Sequence, residues 1–171
     1  MIMDRLNFIQ KFCAFLGLSI VSTTLLESCT SNPEEEEIVL TEEEILYNSL
    51  KKKTSEHGKF LDGRILYIDV THEDFSDLNT VGEFINDSDN YILILRKTVD
   101  VFQVFSNCCP HLGTTNQWSY NQGSFRCANH GNSYGTGTQN IARCGSRSTS
   151  GNLKQYQTMI NQDILTIDFD S

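Results

Sequence analysis

Basic clusters, long apolar runs and helical periodicity are scarce in this chain of 171 residues, and proline occurs only twice. With 39% hydrophobic and 20% charged residues, the composition excludes a collagen, a coiled coil and a wholly disordered chain. The length suits one domain with appended segments rather than two full domains. Lys51–Lys53 is the only basic run, and phosphate binding needs clustered Lys and Arg, so a nucleic-acid partner is not expected. The net charge of −9 is local in origin. Glu34–Glu37 and Glu42–Glu44 place seven negative charges within eleven residues, which leaves residues 45–171 at about −2. The lysine run is expected to balance those glutamates.

The uncharged apolar run Phe12–Leu26 has 15 residues. A membrane-spanning helix needs roughly 20, so the run is short for a span. Preceded by Arg5 and Lys11 and followed by small residues, it reads as a secretory signal over residues 1–28. Leu26-Glu27-Ser28-Cys29 resembles a bacterial lipobox, with Glu27 where a small residue is usual. The resemblance implies acylation of Cys29 and an exported chain anchored in the periplasm, at the outer membrane or on the cell surface. Met3-Asp4-Arg5-Leu6-Asn7-Phe8-Ile9 looks like a twin-arginine signal that has one arginine. Residues 29–57 are polar and acidic and read as a tether. The glutamate run resembles surface-export signals behind some acylated cysteines, and a plain solvated spacer accounts for it equally well. A short helix is expected over Ile45–Lys53.

From Gly58 onward the pattern is that of antiparallel strands. Arg64–Val70, Tyr91–Lys97, Val101–Ser106, Lys154–Ile160 and Ile164–Phe169 are short runs of β-branched, aromatic and aliphatic residues between polar clusters. Thr98-Val99-Asp100 should turn the second run onto the third, and the last two should close a hairpin around Asn161-Gln162-Asp163. Residues 106–151 hold seven of the eleven glycines and few core-forming side chains. So long a structureless stretch is foreign to a compact domain, and a metal site would organise it.

Within that stretch lie Cys109-Pro110-His111-Leu112-Gly113 and Cys127-Ala128-Asn129-His130-Gly131. Thiolate and imidazole suit borderline-soft iron and zinc. The short spacings let each loop aim two side chains at one centre, and Gly113 and Gly131 let the backbone curl around it. His57 and His72 are isolated and expected in solvent. Trp118 is expected to pack.

At these residues the chain resembles the Rieske iron–sulfur proteins, whose pattern is Cys-x-His-Leu-Gly, an intervening stretch and Cys-x2-His-Gly. The resemblance implies an all-β, antiparallel β-sandwich over residues 58–171, with a cluster-binding subdomain of two loops. It implies a [2Fe–2S] cluster with Cys109 and Cys127 on one iron and His111 and His130 on the other, supported by Leu112, Gly113, Gly131, Asn132 and Tyr134. Two ferric ions, two sulfides and two thiolates sum to a neutral oxidised cluster, so the potential of the class lies at about −150 to +300 mV, above that of all-thiolate clusters. Such a site has no open position for substrate. Its implied task is electron transfer with redox-protein partners, coupled to protons through the histidines.

The chain departs from the family in several places. Asn132 stands where high-potential members carry a serine, which with Tyr134 in place leads us to expect an intermediate potential. Thr114 and Asn129 occupy the positions of a disulfide between the loops of quinol-oxidising members. Gly145-Ser146-Arg147-Ser148 is the counterpart of a Gly-Pro-Ala-Pro loop, without its prolines and so less constrained. Cys108 and Cys144 fall outside the ligand set, and in an oxidising compartment they are candidates for a disulfide. Three other readings remain open: a zinc-stabilised structural module on the same four ligands, the Rieske subunit of a larger membrane-associated oxidoreductase, and a ferredoxin serving an oxygenase. The leader speaks against the last.

Overall fold

A computed structural model describes residues 40–170; the signal-like leader, Cys29 and the acidic stretch up to residue 39 lie outside the described residues. The first element, α1 (Glu42–Thr54), starts at a capping box. The Thr41 hydroxyl accepts from the Glu44 N–H while the Glu44 carboxylate accepts from the Thr41 N–H at 2.8 Å. Three glutamates in the first turn and three lysines in the last complement the helix dipole. The expected helix is thus present and starts earlier, because the cap sits at Thr41. Among the described residues no ion pair joins Lys51–Lys53 to Glu42–Glu44. Lys51 Nζ bridges Asp69 at 2.5 Å and Asp163 at 2.8 Å, Lys53 lies over the Phe60 ring, and Tyr47 donates to Asp163 at 2.6 Å. These contacts dock α1 on the sheet that follows.

All ten strands pair antiparallel. β1 (Lys59–Asp62), β2 (Ile65–Asp69), β3 (Phe84–Asp87), β4 (Ile92–Thr98), β5 (Val101–Ser106), β9 (Gln155–Asn161) and β10 (Ile164–Asp168) form one sheet in the order β1-β2-β10-β9-β5-β4-β3. β6 (Trp118–Asn121), β7 (Ser124–Cys127) and β8 (Ser133–Gly135) form a second. The five expected strands are β2, β4, β5, β9 and β10, and both expected turns are made. Thr98 pairs with Val101, and Asn161 with Ile164. β9 joins two halves of the large sheet: Gln155 and Tyr156 pair with β5, and Gln157–Asn161 pair with β10.

β4 explains how the fold holds two cores. Ile92 and Ile94 face a cluster with Leu66, Ile68, Phe102, Val104 and Leu165, while Leu93 and Leu95 face Phe105, Phe125, Tyr134 and Leu153. The four β4 residues are fully buried. The period-2 alternation of a strand sends neighbours to opposite faces, and here both faces are covered. Residues 106–151 are therefore not devoid of core, contrary to expectation: Phe125 is 0% exposed and packs edge-on against Phe105, Phe84 and Trp118. A few large aromatics do what many small aliphatics would.

Two histidines behave differently from each other. His57 is exposed, as expected. His72 is not: its imidazole Nδ1 accepts from the Asp74 N–H at 3.2 Å and caps a 3-10 helix, Glu73–Asn79.

Candidate metal centre

Two loops leave the strands with the same backbone wiring. After β5, the Cys109 carbonyl accepts from the Gly113 N–H at 2.8 Å, and the Cys109 N–H donates to the Thr114 carbonyl at 2.8 Å. After β7, the Cys127 carbonyl accepts from the Gly131 N–H at 2.9 Å, and the Cys127 N–H donates to the Asn132 carbonyl at 2.9 Å. Both glycines sit at φ +74, which a side chain would strain. The loops differ in where the histidine falls, two residues after Cys109 but three after Cys127.

This offset arranges the four candidate side chains as an inner and an outer pair. Cys109 and Cys127 are each 1% exposed, beneath the loops, and neither is in a disulfide. Burial pushes the Cys127 thiol up, a shift that its neighbour Cys109 adds to and that the Asn129 and His130 N–H groups oppose. His111 is half-buried and His130 exposed. Their Nδ1 atoms face each other at 3.3 Å with the rings nearly perpendicular, at 88°. Among the described residues no three of His, Cys, Asp or Glu close around a single point. Two pairs, sulfur inside and nitrogen outside, suit two metal ions better than one tetrahedral zinc, which would draw all four donors to itself. The donor set and its layering fit a two-iron cluster.

Comparison with protein families matches the Rieske [2Fe-2S] domain to residues 67–157, more than half of the chain and a span that includes both loops. The chain belongs to the Rieske [2Fe-2S] domain family. A search of curated proteins returns no match. As a Rieske domain it binds a [2Fe–2S] cluster and is an electron-transfer protein.

The surroundings of this Rieske site show how its departures from the family pattern are made good. The Asn129 amide donates to the Thr114 hydroxyl at 2.8 Å, so a hydrogen bond links the two loops at the positions where quinol-oxidising members have a disulfide. The disulfide here is Cys108–Cys144, and it ties the first loop to a third, residues 144–148. That third loop is also held by Gly145 N–H to the Cys109 carbonyl at 3.2 Å and Arg147 N–H to the His111 carbonyl at 3.0 Å. The Tyr134 hydroxyl donates to the Ser148 carbonyl at 2.7 Å. These bonds and the disulfide hold the loop that lacks the family's prolines. Tyr134 is fully buried with its hydroxyl 3.9 Å from Cys109 Sγ; burial first, then the neighbouring sulfur, pushes its pKa up to about 12.

Further residues complete the surroundings. Leu112, beside His111, is 55% exposed. Asn132 closes the second loop through its backbone carbonyl. Asn107, which carried no signal in the sequence, is fully buried at the root of the first loop. Its carbonyl accepts from Trp118 Nε1 at 2.7 Å, and its amide donates to Asn86 at 2.9 Å. Trp118 packs, as expected, against Phe125 and Tyr134.

Proposed function

We propose that Cys109 and Cys127 hold the inner iron and His111 and His130 the outer iron, in an exported carrier that is lipid-anchored through Cys29 and passes single electrons between protein partners. The facing Nδ1 atoms together with the two buried thiols carry the ligand assignment. Export is supported by the signal-like leader and by the Cys108–Cys144 disulfide, a bond that persists in oxidising compartments.

When bound, the cluster supplies a one-electron couple of low net charge, because imidazoles replace two thiolates. The chain supplies everything else. The apolar pocket of Phe105, Phe125 and Tyr134 keeps water from the two sulfurs. Their thiols must lose protons when metal arrives, so loading is expected to weaken as pH falls. The two imidazoles bring their Nδ1 atoms within 3.3 Å of each other, and these are the atoms that would hold the outer iron.

Absorbance and low-temperature EPR of the full-length chain before and after dithionite test the assignment. Brown protein with a Rieske-type reduced signal, lost in both His111→Ala and His130→Ala, is the expected result. Colourless protein holding stoichiometric zinc would overturn it. Labelled fatty acid incorporated by the chain in a bacterial host, and absent from Cys29→Ala, tests the anchor.

A further inference from the structure

Charge is segregated along this chain in a way its sum conceals. Between Val101 and Gln162 there is no Asp or Glu, and the cations are Arg126, Arg143, Arg147 and Lys154. The rest of the described chain holds sixteen carboxylates against seven cations. Because the segment after β5 carries both cysteine–histidine loops, the fold gathers the unbalanced positive charge at the site.

Two arginines bond to the loops that present the histidines, a third lies one residue from the disulfide to the first of those loops, and all three are exposed. Arg126 Nε donates to the Gly131 carbonyl at 3.2 Å, next to His130. Arg147 donates its N–H to the His111 carbonyl at 3.0 Å. Arg143 precedes Cys144, which is bonded to the first loop. Among the described residues no carboxylate pairs with any of the three, while of the seven cations elsewhere Lys51, Lys59 and Arg64 are paired. Leu112, exposed beside His111, adds an apolar contact to the same face. An apolar contact with an arginine-rich, water-accessible margin has the anatomy of a protein interface.

We infer that this face docks an acidic redox protein, drawn in by Arg126, Arg143 and Arg147. The inference rests on the electron-transfer reading above and names the partner's chemistry. Transient redox encounters bury little area, so approach and orientation depend on charge complementarity. A partner with a carboxylate-rich rim would bring its own redox centre toward the His111 and His130 edges. A lipid headgroup layer on the same face would match the charge but would cover the route by which the electron leaves.

The test uses full-length holoprotein whose reduced EPR signal has first been recorded; a missing signal refutes the cluster assignment and is read separately from the docking result. The reduced protein is then mixed by stopped flow with an acidic blue-copper protein or a basic c-type cytochrome, both of higher potential. Ionic strength is varied from about 0.01 M to about 0.15 M, which shortens the Debye length from about 30 Å to about 8 Å. We expect the acidic probe to react at least tenfold faster at the low end and to outpace the basic probe there, since steering of this kind raises on-rates by about 10- to 1,000-fold. Arg126→Gln/Arg143→Gln/Arg147→Gln should remove that advantage with the EPR signal retained, and the triple Arg→Lys variant should restore it. A flat salt response, or a faster reaction with the basic probe, would overturn the inference. Suppression of transfer by phosphatidylglycerol vesicles in the parent but not in the triple Gln variant would assign the face to a membrane and overturn it too.

Discussion

Replacing both Cys108 and Cys144 by alanine should lower the stability of the folded chain by about 4 kcal/mol. The bond closes a loop with a sequence separation of 36, and the chain-entropy relation for a loop of that length gives roughly 13 cal/mol/K, or about 4 kcal/mol at 25 °C. The effect should lie mainly in the unfolded chain. In the folded state the third loop keeps its bonds from Gly145, Arg147 and Tyr134 to or from the neighbouring loops. Against a typical total of about 5–15 kcal/mol this is a large share. With a urea slope of about 2 kcal/mol/M, the midpoint should fall by roughly 2 M. Urea titration followed by far-UV circular dichroism gives the global transition, and the single tryptophan, Trp118, packed against the second core, gives the cluster end. A loss below about 1 kcal/mol would refute the reasoning, as would alkylation of both cysteines in the parent without prior reduction.

Other expected outcomes follow from the same structure. Lys51→Met should cost about 2 kcal/mol at pH 7 through the loss of two charged hydrogen bonds. Burial pushes Asp69 and Asp163 up, but Lys51, with Thr71 and Tyr47, holds both carboxyls below the ordinary 3.8. That stabilisation is complete above the ordinary value and is lost as pH falls through the depressed folded values. The gap between parent and Lys51→Met in thermal melts should therefore close below about pH 4, and a constant gap would exclude the ion pair as its source. Gly63→Ala and Gly58→Ala both place alanine at positive φ, but only at Gly58 would the new Cβ meet His72 and Phe75, at 2.8 Å. We expect about 1 kcal/mol for the first and about 3 kcal/mol for the second, with equal urea midpoints counting against the clash. Asn132→Ser should raise the midpoint potential by about 40 mV, the one-electron equivalent of a hydrogen bond of about 1 kcal/mol to the reduced cluster; spectroelectrochemical titration reads it, and a lowered potential would reject the proposed role.

What was legible in the sequence was legible for local reasons. The five strands found in advance are those whose apolar residues are numerous and bounded by polar turns, such as Ile164–Asp168 after Asn161-Gln162-Asp163. β1, with the pattern Lys-Phe-Leu-Asp, and β3, with Phe-Ile-Asn-Asp, are too short to show a period, and they form because neighbours supply the pairing. β6–β8 hid for a different cause. Their apolar residues are few but large, and only the second core reveals that Trp118, Phe125 and Tyr134 meet. The cysteine–histidine loops were legible because metal-ligand spacing is a property of neighbouring residues. The matching of Cys108 with Cys144 and of Thr114 with Asn129 depends on how loops far apart in the chain fold together, so spacing alone could only nominate the first pair. The partners of Lys51 were not legible because its acids lie 18 and 112 residues away in the chain.

The loops and β6–β8 leave the large sheet after Ser106 and rejoin it at Lys154, and the Ser106 N–H donates to the Lys154 carbonyl at 2.9 Å. Entry and exit thus share one doorway. A segment with adjoining ends can lengthen, shorten or change its loops without asking the host strands to move, which makes the redox head a replaceable cartridge. Its floor, however, belongs to the host: Leu93, Leu95 and Phe105 come from β4 and β5. Exchange of the cartridge for another would succeed only if the newcomer brought a lid for those three side chains, and a shortened chain that joined Ser106 directly to Lys154 would expose them as an adhesive surface.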